Sequence, residues 1–258
     1  MSRLVITGAS GTLGRAVAEL AAERGHHVIG VGRGGRPSDF PAAAEWVANA
    51  QQSVVDADLL LDLDAEVYLL AAGAIETEIG PSGEPLDRSV ETLTQVHLTF
   101  PAALALAAAR RTWSHPVQVI GVGSIADGSP SAFGPVYHAT KAALHQFVSG
   151  TAPILHAANP LVRLRLYRPG VIFGEFSKAP MLRLNEAGKR LREKRCASAP
   201  TGRAVAANLH RFIDGSQIIG SDSAPLSFRL LQLTFALFPD LYARLQHLAW
   251  NRASRFSN

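Results

Sequence analysis

A glycine-rich turn near the start of the chain places the tightest constraint on the fold. The apolar run Arg3–Thr7 predicts a strand, which passes through the turn TGASGTLG (residues 7–14) into the helical pattern Leu13–Arg24. Glycines in such a turn permit a tight bend, a close approach of backbone N–H groups to a phosphate, and close packing of helix on strand. Because the amino end of a helix attracts anions, this position predicts a dinucleotide site, with a plain structural turn as the alternative.

Strand-like and helix-like patterns alternate through most of the sequence. The further predicted strands are His27–Val31, Ser53–Val55, Glu66–Ala71, Val117–Val122, Leu161–Tyr167 and a short last one at Gln217–Ile219. The further predicted helices are Arg88–Arg111, Val136–Ala158, Met181–Lys194, Gly202–Ile213 and two within Pro225–Trp250, divided at Pro239. This alternation predicts βαβ units and a parallel sheet covered on both faces. We expect one doubly wound α/β (Rossmann) domain in residues 1–220, with residues 221–258 as an apolar helical extension of the same domain.

Composition narrows the class of protein. Of the 258 residues, 47% are hydrophobic and 18% are charged, which excludes a disordered chain. The lone cysteine, Cys196, excludes a disulfide framework and a thiolate metal cluster, and it fits a reducing compartment. We expect no metal site, because His26-His27 has no carboxylate or cysteine partner at ligand spacing. The longest apolar windows, Ala102–Ala109 and Leu230–Phe238, are shorter than the roughly 20 residues of a membrane span, so we expect a cytoplasmic protein without one.

The basic charge is concentrated in one segment. The chain has a formal net charge of +4, and the six basic and two acidic residues between Arg183 and Arg195 account for a surplus of the same size. We interpret this segment as a solvated helix face, because no aromatic side chains are interleaved with its charges as in single-strand binding. No nucleic acid is therefore expected as a partner. An anionic substrate that meets these arginines is the alternative.

The end of the second predicted strand bears on the choice of dinucleotide. A carboxylate there favours NAD, but the sequence has Val31-Gly32-Arg33, with Arg36 close behind. An arginine can pair with a 2′-phosphate and stack on adenine, so we predict NADP(H) ahead of NAD; a solvated loop arginine is the plain alternative. Asp56, at the end of the third predicted strand, is either an adenine contact or a helix cap.

Three side chains can supply the chemistry of carbonyl–alcohol interconversion: Ser124, Tyr137 and Lys141. Ser124 follows the fifth predicted strand, at the carboxyl edge where open α/β sheets bind ligands. Tyr137 and Lys141 are four residues apart on a helical pattern, so they share one face. A phenol has an ordinary pKa of about 10, and a nearby ammonium lowers it. Tyr137 can then transfer a proton while Ser124 holds the substrate oxygen.

In combination these motifs resemble the short-chain dehydrogenase/reductase family. The resemblance spans about Arg3 to Ile219 and rests on TGASGTLG, Leu70-Ala-Ala-Gly73, Ser124, Tyr137–Lys141 and Arg168-Pro-Gly170, in that order. It implies that Tyr137 is the acid/base, that Lys141 binds the nicotinamide ribose and lowers the pKa of Tyr137, that Ser124 steadies the substrate, and that Pro169-Gly170 faces the nicotinamide. The full set of candidate cofactor contacts is Gly8, Ser10, Gly11, Thr12, Leu13, Gly14, Arg33, Asp56, Ala71, Ala72, Gly73, Tyr137, Lys141, Pro169, Gly170 and Val171.

The sequence also departs from the family pattern. The glycine spacing and the pair Ala71-Ala72 resemble the extended branch of the family, whereas the length resembles the compact branch. His97 stands where many members have an asparagine that holds a proton-relay water. It either replaces that relay, packs in its helix, or marks weakened turnover; we count it as a fourth candidate catalytic residue, since imidazole both donates and accepts.

These observations predict an NADP-dependent oxidoreductase that interconverts a carbonyl and a secondary alcohol by hydride transfer, in the enzyme class EC 1.1.1. The alternatives are an epimerase or dehydratase with transient oxidation, and a dinucleotide-sensing or scaffold protein. The expected partner is a small carbonyl or alcohol substrate, lipophilic if the apolar tail covers the pocket. The tail otherwise packs on the domain or on a second subunit, and the resemblance implies a homo-oligomer.

Overall fold

The computed structural model describes residues 1–48, 54–172, 175–189 and 200–254. Within them, seven parallel strands form one sheet in the order β3-β2-β1-β4-β5-β6-β7. The strands are β1 Arg3–Thr7, β2 His27–Gly32, β3 Glu45–Ala48, β4 Val67–Leu70, β5 Val117–Val122, β6 Val162–Arg168 and β7 Ile219–Ser221. The order reverses between β1 and β4, which makes the carboxyl end of these two strands the point where such sheets bind ligands. The predicted doubly wound fold is confirmed.

Helices cover both faces of the sheet. They are α1 Thr12–Glu23, α2 Val54–Leu61, α3 Asp87–Thr94, α4 Phe100–Arg110, α5 Pro135–Ala158, α6 Glu175–Glu186, α7 Gly202–Asp214, α8 Leu226–Leu237 and α9 Pro239–Ser254. Residues alternate between the two faces along each strand. On β1, Val5 packs with α4 and α5, whereas Leu4 and Ile6 pack with α1 and α7. Both faces are therefore buried, as a parallel sheet requires.

The third strand was predicted wrongly. The strand beside β2 is β3, and Ile29 of β2 lies opposite Glu45. The predicted strand Ser53–Val55 falls on the start of α2, except for Ser53, which lies outside the described residues. The reason is packing: Ala57, Leu60 and Leu61 are buried in the core at helical spacing, so the apolar run folds as a helix.

Other predicted boundaries of strands and helices differ from the structure by a few residues. The last strand is two residues later than predicted, and α6 begins at Glu175 rather than Met181. Residues 190–194 of that predicted helix, and Cys196 beyond it, lie outside the described residues. The two predicted helices of the tail are confirmed as α8 and α9.

Helices α3 and α4 are joined by a π-helical turn, Gln95–Thr99, into one continuous helix. By length and composition alone, the combined Asp87–Arg110 is the one helix in the described part of the chain that is long and apolar enough to cross a membrane. Its apolar side chains Phe100, Leu104, Ala105 and Ala108 belong to the core cluster between sheet and helices. The core packing therefore accounts for its apolar character.

Candidate active site

The glycine-rich turn packs against the end of β4. Gly8 has φ +66°, and a Cβ built there would lie 2.6 Å from the Cα of Ala72. A Cβ on Gly14 would lie 2.3 Å from the Gly8 carbonyl oxygen. The hydroxyl oxygen of Thr7 accepts a hydrogen bond from the Ala72 N–H at 3.2 Å, which ties the ends of the two strands together. A side chain at Gly8 would therefore push the turn away from the end of β4, and one at Gly14 would push α1 away from the turn.

The turn fits a pyrophosphate. Gly11 precedes the first turn of α1 in an extended conformation, and no side chain caps that helix start. The N–H groups of a first helical turn lack partners within the helix, so they are suited to an anion. Gly170 lies at the end of β6, and a Cβ built there would lie 3.9 Å from Ile125, an ordinary contact. Gly170 is thus less tightly packed than Gly8 and Gly14.

Two arginines follow β2, and their surroundings differ. Arg36 donates a hydrogen bond to the carbonyl oxygen of Pro41 at 2.6 Å and lies over the Phe40 ring, so it supports its own loop. Arg33 is exposed directly after Gly32, the last residue of β2. Asp56 lies in α2 rather than after a strand, so the position predicted for it was wrong; its side chain is outside the described set.

Ser124 and Tyr137 meet at the carboxyl edge of the sheet. Ser124 follows β5 and is buried, and its Oγ accepts a hydrogen bond from the Ala126 N–H at 3.1 Å. Tyr137 lies in the first turn of α5, close enough to Ser124 for hydrogen bonding from that side chain to act against the rise in its pKa. The two predicted residues are therefore brought together at this edge of the sheet.

Lys141 lies one helical turn further along α5, buried under the same edge. Its Nζ donates to the carbonyl oxygen of Val122 at 2.8 Å and lies 5.7 Å from the centroid of the Tyr137 ring. Burial lowers the pKa of Lys141 to about 7, against the attraction of Asp127. Burial also raises the pKa of Tyr137, which the hydrogen bond from Ser124 opposes. The expected lowering of the Tyr137 pKa is thus absent, because desolvation dominates for both groups.

His97 is buried beside Tyr137, with ring centroids 5.5 Å apart. Its Nε2 accepts a hydrogen bond from the Ala74 N–H at 3.2 Å, so the proton is assigned to Nδ1, which donates to Thr140 Oγ1 at 2.9 Å. Desolvation and the charge of Lys141 hold the pKa of His97 well below its ordinary value. The imidazole is therefore neutral and engaged at both nitrogens. Its role in proton transfer stays a prediction.

Comparison with known proteins agrees with this fold. Residues 4–79 match the model of the NAD dependent epimerase/dehydratase family. Carbonyl reductase family member 4 of Danio rerio is 27% identical over 189 residues, covering 67% of this chain and 76% of that protein. The NADP-dependent 3-hydroxy acid dehydrogenase YdfG of Salmonella typhi is 28% identical over 214 residues, covering 76% and 84%.

Solved structures share the fold over nearly the whole chain. A short-chain dehydrogenase from Burkholderia cenocepacia J2315, in complex with NADP, superposes with a TM-score of 0.71 at 20% identity, covering 95% of this chain and 97% of that one. Other solved neighbours are complexed with NAD or NADH. The chain has a Rossmann fold and is similar to short-chain dehydrogenases and reductases.

A buried ion pair beneath the candidate site was not predicted from the sequence. The side chain of Asp127 is fully buried and accepts a hydrogen bond from Arg168 Nε at 2.6 Å. His145 Nδ1 lies 2.9 Å from the same carboxylate. Asp127 is three residues after Ser124, and Arg168 immediately precedes Pro169, so the pair joins the serine turn to the end of β6. Arg168 belongs to the motif Arg168-Pro-Gly170, but no sequence pattern marks Asp127 as its partner.

Glu76 was missed as well. This buried carboxylate lies in the segment after β4, and it accepts hydrogen bonds from the N–H groups of Val136 at 2.7 Å and Tyr137 at 3.3 Å. Burial raises its pKa, which the two backbone hydrogen bonds oppose. Glu76 therefore caps the start of α5 from a position about sixty residues earlier in the chain. No local sequence pattern predicts such a contact.

An open groove of about 600 Å³ lies beside the candidate site. It is lined by the segment 77–88 and by α6, whose Arg183 pairs with Glu186 at 2.9 Å. Phe176, also on α6, packs its ring against Tyr137 with centroids 6.2 Å apart. Helix α6 thus contacts the candidate site and the groove together. Among the described residues of the predicted basic segment, Arg183, Glu186 and Ala187 line this groove.

Proposed function

We propose that the protein is an NADP-dependent oxidoreductase that interconverts a carbonyl compound and a secondary alcohol. The observation that carries the proposal is the placement of buried Ser124 and Lys141 beside Tyr137, with Lys141 Nζ 5.7 Å from the centroid of the tyrosine ring. These groups stand at the carboxyl edge of the sheet, where the glycine-rich turn fits a pyrophosphate. The relative from Salmonella typhi, named as an NADP-dependent 3-hydroxy acid dehydrogenase, supports the same reaction type.

The side chains have complementary tasks in this reaction. Tyr137 donates its phenolic proton to the substrate oxygen during reduction and takes a proton from the alcohol during oxidation. Ser124 donates a hydrogen bond that holds the same oxygen, and Lys141 stabilises the phenolate when it carries a proton. A bound nicotinamide supplies or accepts the hydride.

Replacement of the phenol tests the assignment. We expect Tyr137→Phe to lower turnover by about 10²–10⁴-fold, the usual contribution of a positioned acid/base, with dinucleotide affinity changed only a few-fold. Tyr242→Phe is the matched control, because its hydroxyl bonds the Pro130 carbonyl outside the Ser–Tyr–Lys group. A Tyr137→Phe protein that keeps its activity on a panel of ketones and secondary alcohols would overturn the mechanism.

Arg33 carries the preference for NADP in this proposal. Its guanidinium is exposed just beyond β2, where it can pair with a 2′-phosphate. Thermal unfolding with NADPH and NADH at matched concentrations measures the preference, since a ligand at about 100 times its Kd stabilises a fold by roughly 2.7 kcal/mol. We expect the larger shift with NADPH, and loss of that difference in Arg33→Ser but not in Arg36→Ser. A larger shift with NADH would reverse the cofactor assignment.

A second candidate is an epimerase or dehydratase that oxidises its substrate only transiently. The match of residues 4–79 to the epimerase/dehydratase family favours it. The same three side chains would serve, so the discriminating quantity is the cofactor balance. Stoichiometric consumption of NADPH during turnover supports the oxidoreductase, whereas product formation without net consumption supports the second candidate.

The cytoplasm is the compartment that fits this function. The sequence contains one cysteine, so an intrachain disulfide cannot form, and reducing compartments favour such chains. Fractionation of the native host, followed by immunodetection of the full chain, tests this placement.

A further inference from the structure

The two helices after β7 turn an apolar face to solvent. We call α8 and α9 together the C-terminal hairpin, residues 226–254. Its outward leucines on α8 are between 53% and 72% exposed, and those on α9 between 42% and 52%. The residues are Leu226, Leu230, Leu233 and Leu237 on α8, and Leu241, Leu245 and Leu248 on α9. Phe238, at the bend, is 59% exposed.

The opposite face of the hairpin is fixed to the body of the protein. Gln232 donates to the Ile125 carbonyl oxygen at 2.7 Å, and Tyr242 donates to the Pro130 carbonyl oxygen at 2.6 Å. Gln246 accepts from the Ala132 N–H at 2.8 Å. On helical geometry of about 3.6 residues per turn, these anchors lie away from the leucine stripes. The outward leucines therefore cannot turn inward without breaking contacts to the segment 125–132.

The two helices also contact each other, which holds both stripes on one structure. Phe235 of α8 and Tyr242 of α9 meet edge to face, with ring centroids 5.4 Å apart. Tyr242 itself is buried. The hairpin thus presents two adjoining helices with a defined orientation, as a surface for packing requires.

The spacing of the leucines points to another helix as the occupant. Along α8 the intervals run four, three, four from Leu226 to Leu237, and along α9 they run four, three from Leu241 to Leu248. This is the narrow heptad seam of helix–helix packing, whereas helices that lie on a membrane usually have a broader apolar face. Arg229 and Arg244 lie at the edges of the stripes, where the rim of a protein interface is polar.

We propose that the C-terminal hairpin is the surface on which a second copy of this chain binds, so that two hairpins form a four-helix interface. Monomers rarely expose a contiguous apolar patch beyond a few hundred Å², and a standard interface buries about 800 Å² on each partner. Eight large apolar side chains, each at least 42% exposed, offer an area of that order. In a two-fold dimer the same surface of each subunit contacts its copy, so one apolar face can serve both partners.

The oligomeric state of charged hairpin variants tests this inference. Sedimentation velocity of the full wild-type chain across micromolar concentrations is expected to show a dimer. Leu233→Glu/Leu245→Glu should raise the dimer dissociation constant by at least 100-fold and leave a monomer. Ile154→Glu is the matched control, because Ile154 is 65% exposed on α5, and it should leave the dimer intact.

A milder variant guards against misfolding. Leu230→Ala/Leu233→Ala keeps strong helix formers at exposed positions and should raise the dissociation constant at least tenfold, with unchanged far-UV circular dichroism. A monomeric wild type, or a dimer that the hairpin variants leave intact and Ile154→Glu dissociates, would overturn the inference. A wild type that is monomeric but sediments with phosphatidylglycerol vesicles, in a manner lost in Leu233→Glu/Leu245→Glu, would assign the face to membranes instead. These readouts are independent of the proposed activity.

Discussion

The carboxylate of Glu76 lies 2.7 Å from the backbone nitrogen of Val136, at the start of the helix that carries Tyr137. A helix start has four N–H groups without partners inside the helix, and a carboxylate there is favoured by the helix dipole. Gly134, which precedes α5, supplies no side-chain cap of its own. Glu76 thus replaces a local cap and couples the segment after β4 to the position of the tyrosine.

Removal of this carboxylate should weaken the fold and the site together. In Glu76→Ala the N–H groups of Val136 and Tyr137 lose their acceptor, so we expect the free energy of unfolding to fall by about 1–2 kcal/mol. Urea denaturation measures the change. Glu78→Ala is the control, because Glu78 is a half-exposed glutamate two residues later and should have little effect. Equal losses in both variants would contradict the capping role.

The pH dependence of Glu76 gives a second prediction. Burial raises the pKa of Glu76 in the folded state, so between the ordinary glutamate pKa and the raised one the folded chain binds more protons than the unfolded chain. Wild-type stability therefore declines as pH rises through that window, and Glu76→Gln does not share this decline. We expect the stability of Glu76→Gln relative to wild type to increase with pH above about 4.5, the ordinary value. A difference that stays flat from pH 4 to 7 would contradict the raised pKa.

The sequence predicted the fold wherever hydrophobic periodicity and glycine placement agreed. β1, the turn at Gly8 and α1 follow from such local patterns. β3 was missed because its place beside β2 depends on contacts that have no periodic signal in the sequence. The rings of Phe40 and Trp46 occupy the space where a Cβ on Gly30 or Gly32 of β2 would lie. The apolar run after residue 53 resembles a strand until the buried positions Ala57, Leu60 and Leu61 are known.

The candidate site was predictable to the same extent. Ser124, Tyr137 and Lys141 carry recognisable spacing, and the structure brings them together. Their electrostatics were not predictable, because desolvation depends on how completely the surrounding chain buries each group. Glu76 and Asp127 contribute through contacts that span elements, so their importance appears only when the chain is folded.

Lys141 should make stability depend on pH in the chain without cofactor. Its pKa is about 7 in the folded state, below its ordinary value of 10.5, so between those values the unfolded chain binds a proton that the folded chain does not. Wild-type stability should therefore rise with pH across this window relative to Lys141→Met, by at most about 1.4 kcal/mol per pH unit. Urea denaturation at pH 6, 7, 8 and 9 measures the difference. It should be nearly constant below pH 7, and a constant difference up to pH 9 would show that Lys141 stays charged.

The buried pair of Asp127 and Arg168 provides the last prediction. Asp127→Asn removes the negative charge and leaves the guanidinium of Arg168 with a neutral partner, which typically costs about 3–5 kcal/mol for a fully buried pair and less here because the Arg168 side chain is 20% exposed. Arg168→Met strands the carboxylate, although His145 still lies 2.9 Å from it. The double variant strands neither charge.

The double variant Asp127→Asn/Arg168→Met should therefore be less destabilised than the sum of the two single variants, with a coupling energy of at least about 1 kcal/mol in urea denaturation. The exposed pair of Arg203 and Glu23, at 2.7 Å, serves as the control cycle and should be additive within error. Because the buried pair joins the turn after Ser124 to the end of β6, the single variants should also lower turnover through a displaced Ser124, with dinucleotide affinity less affected. Additive losses in the buried cycle would mean that Asp127 acts on the site without Arg168.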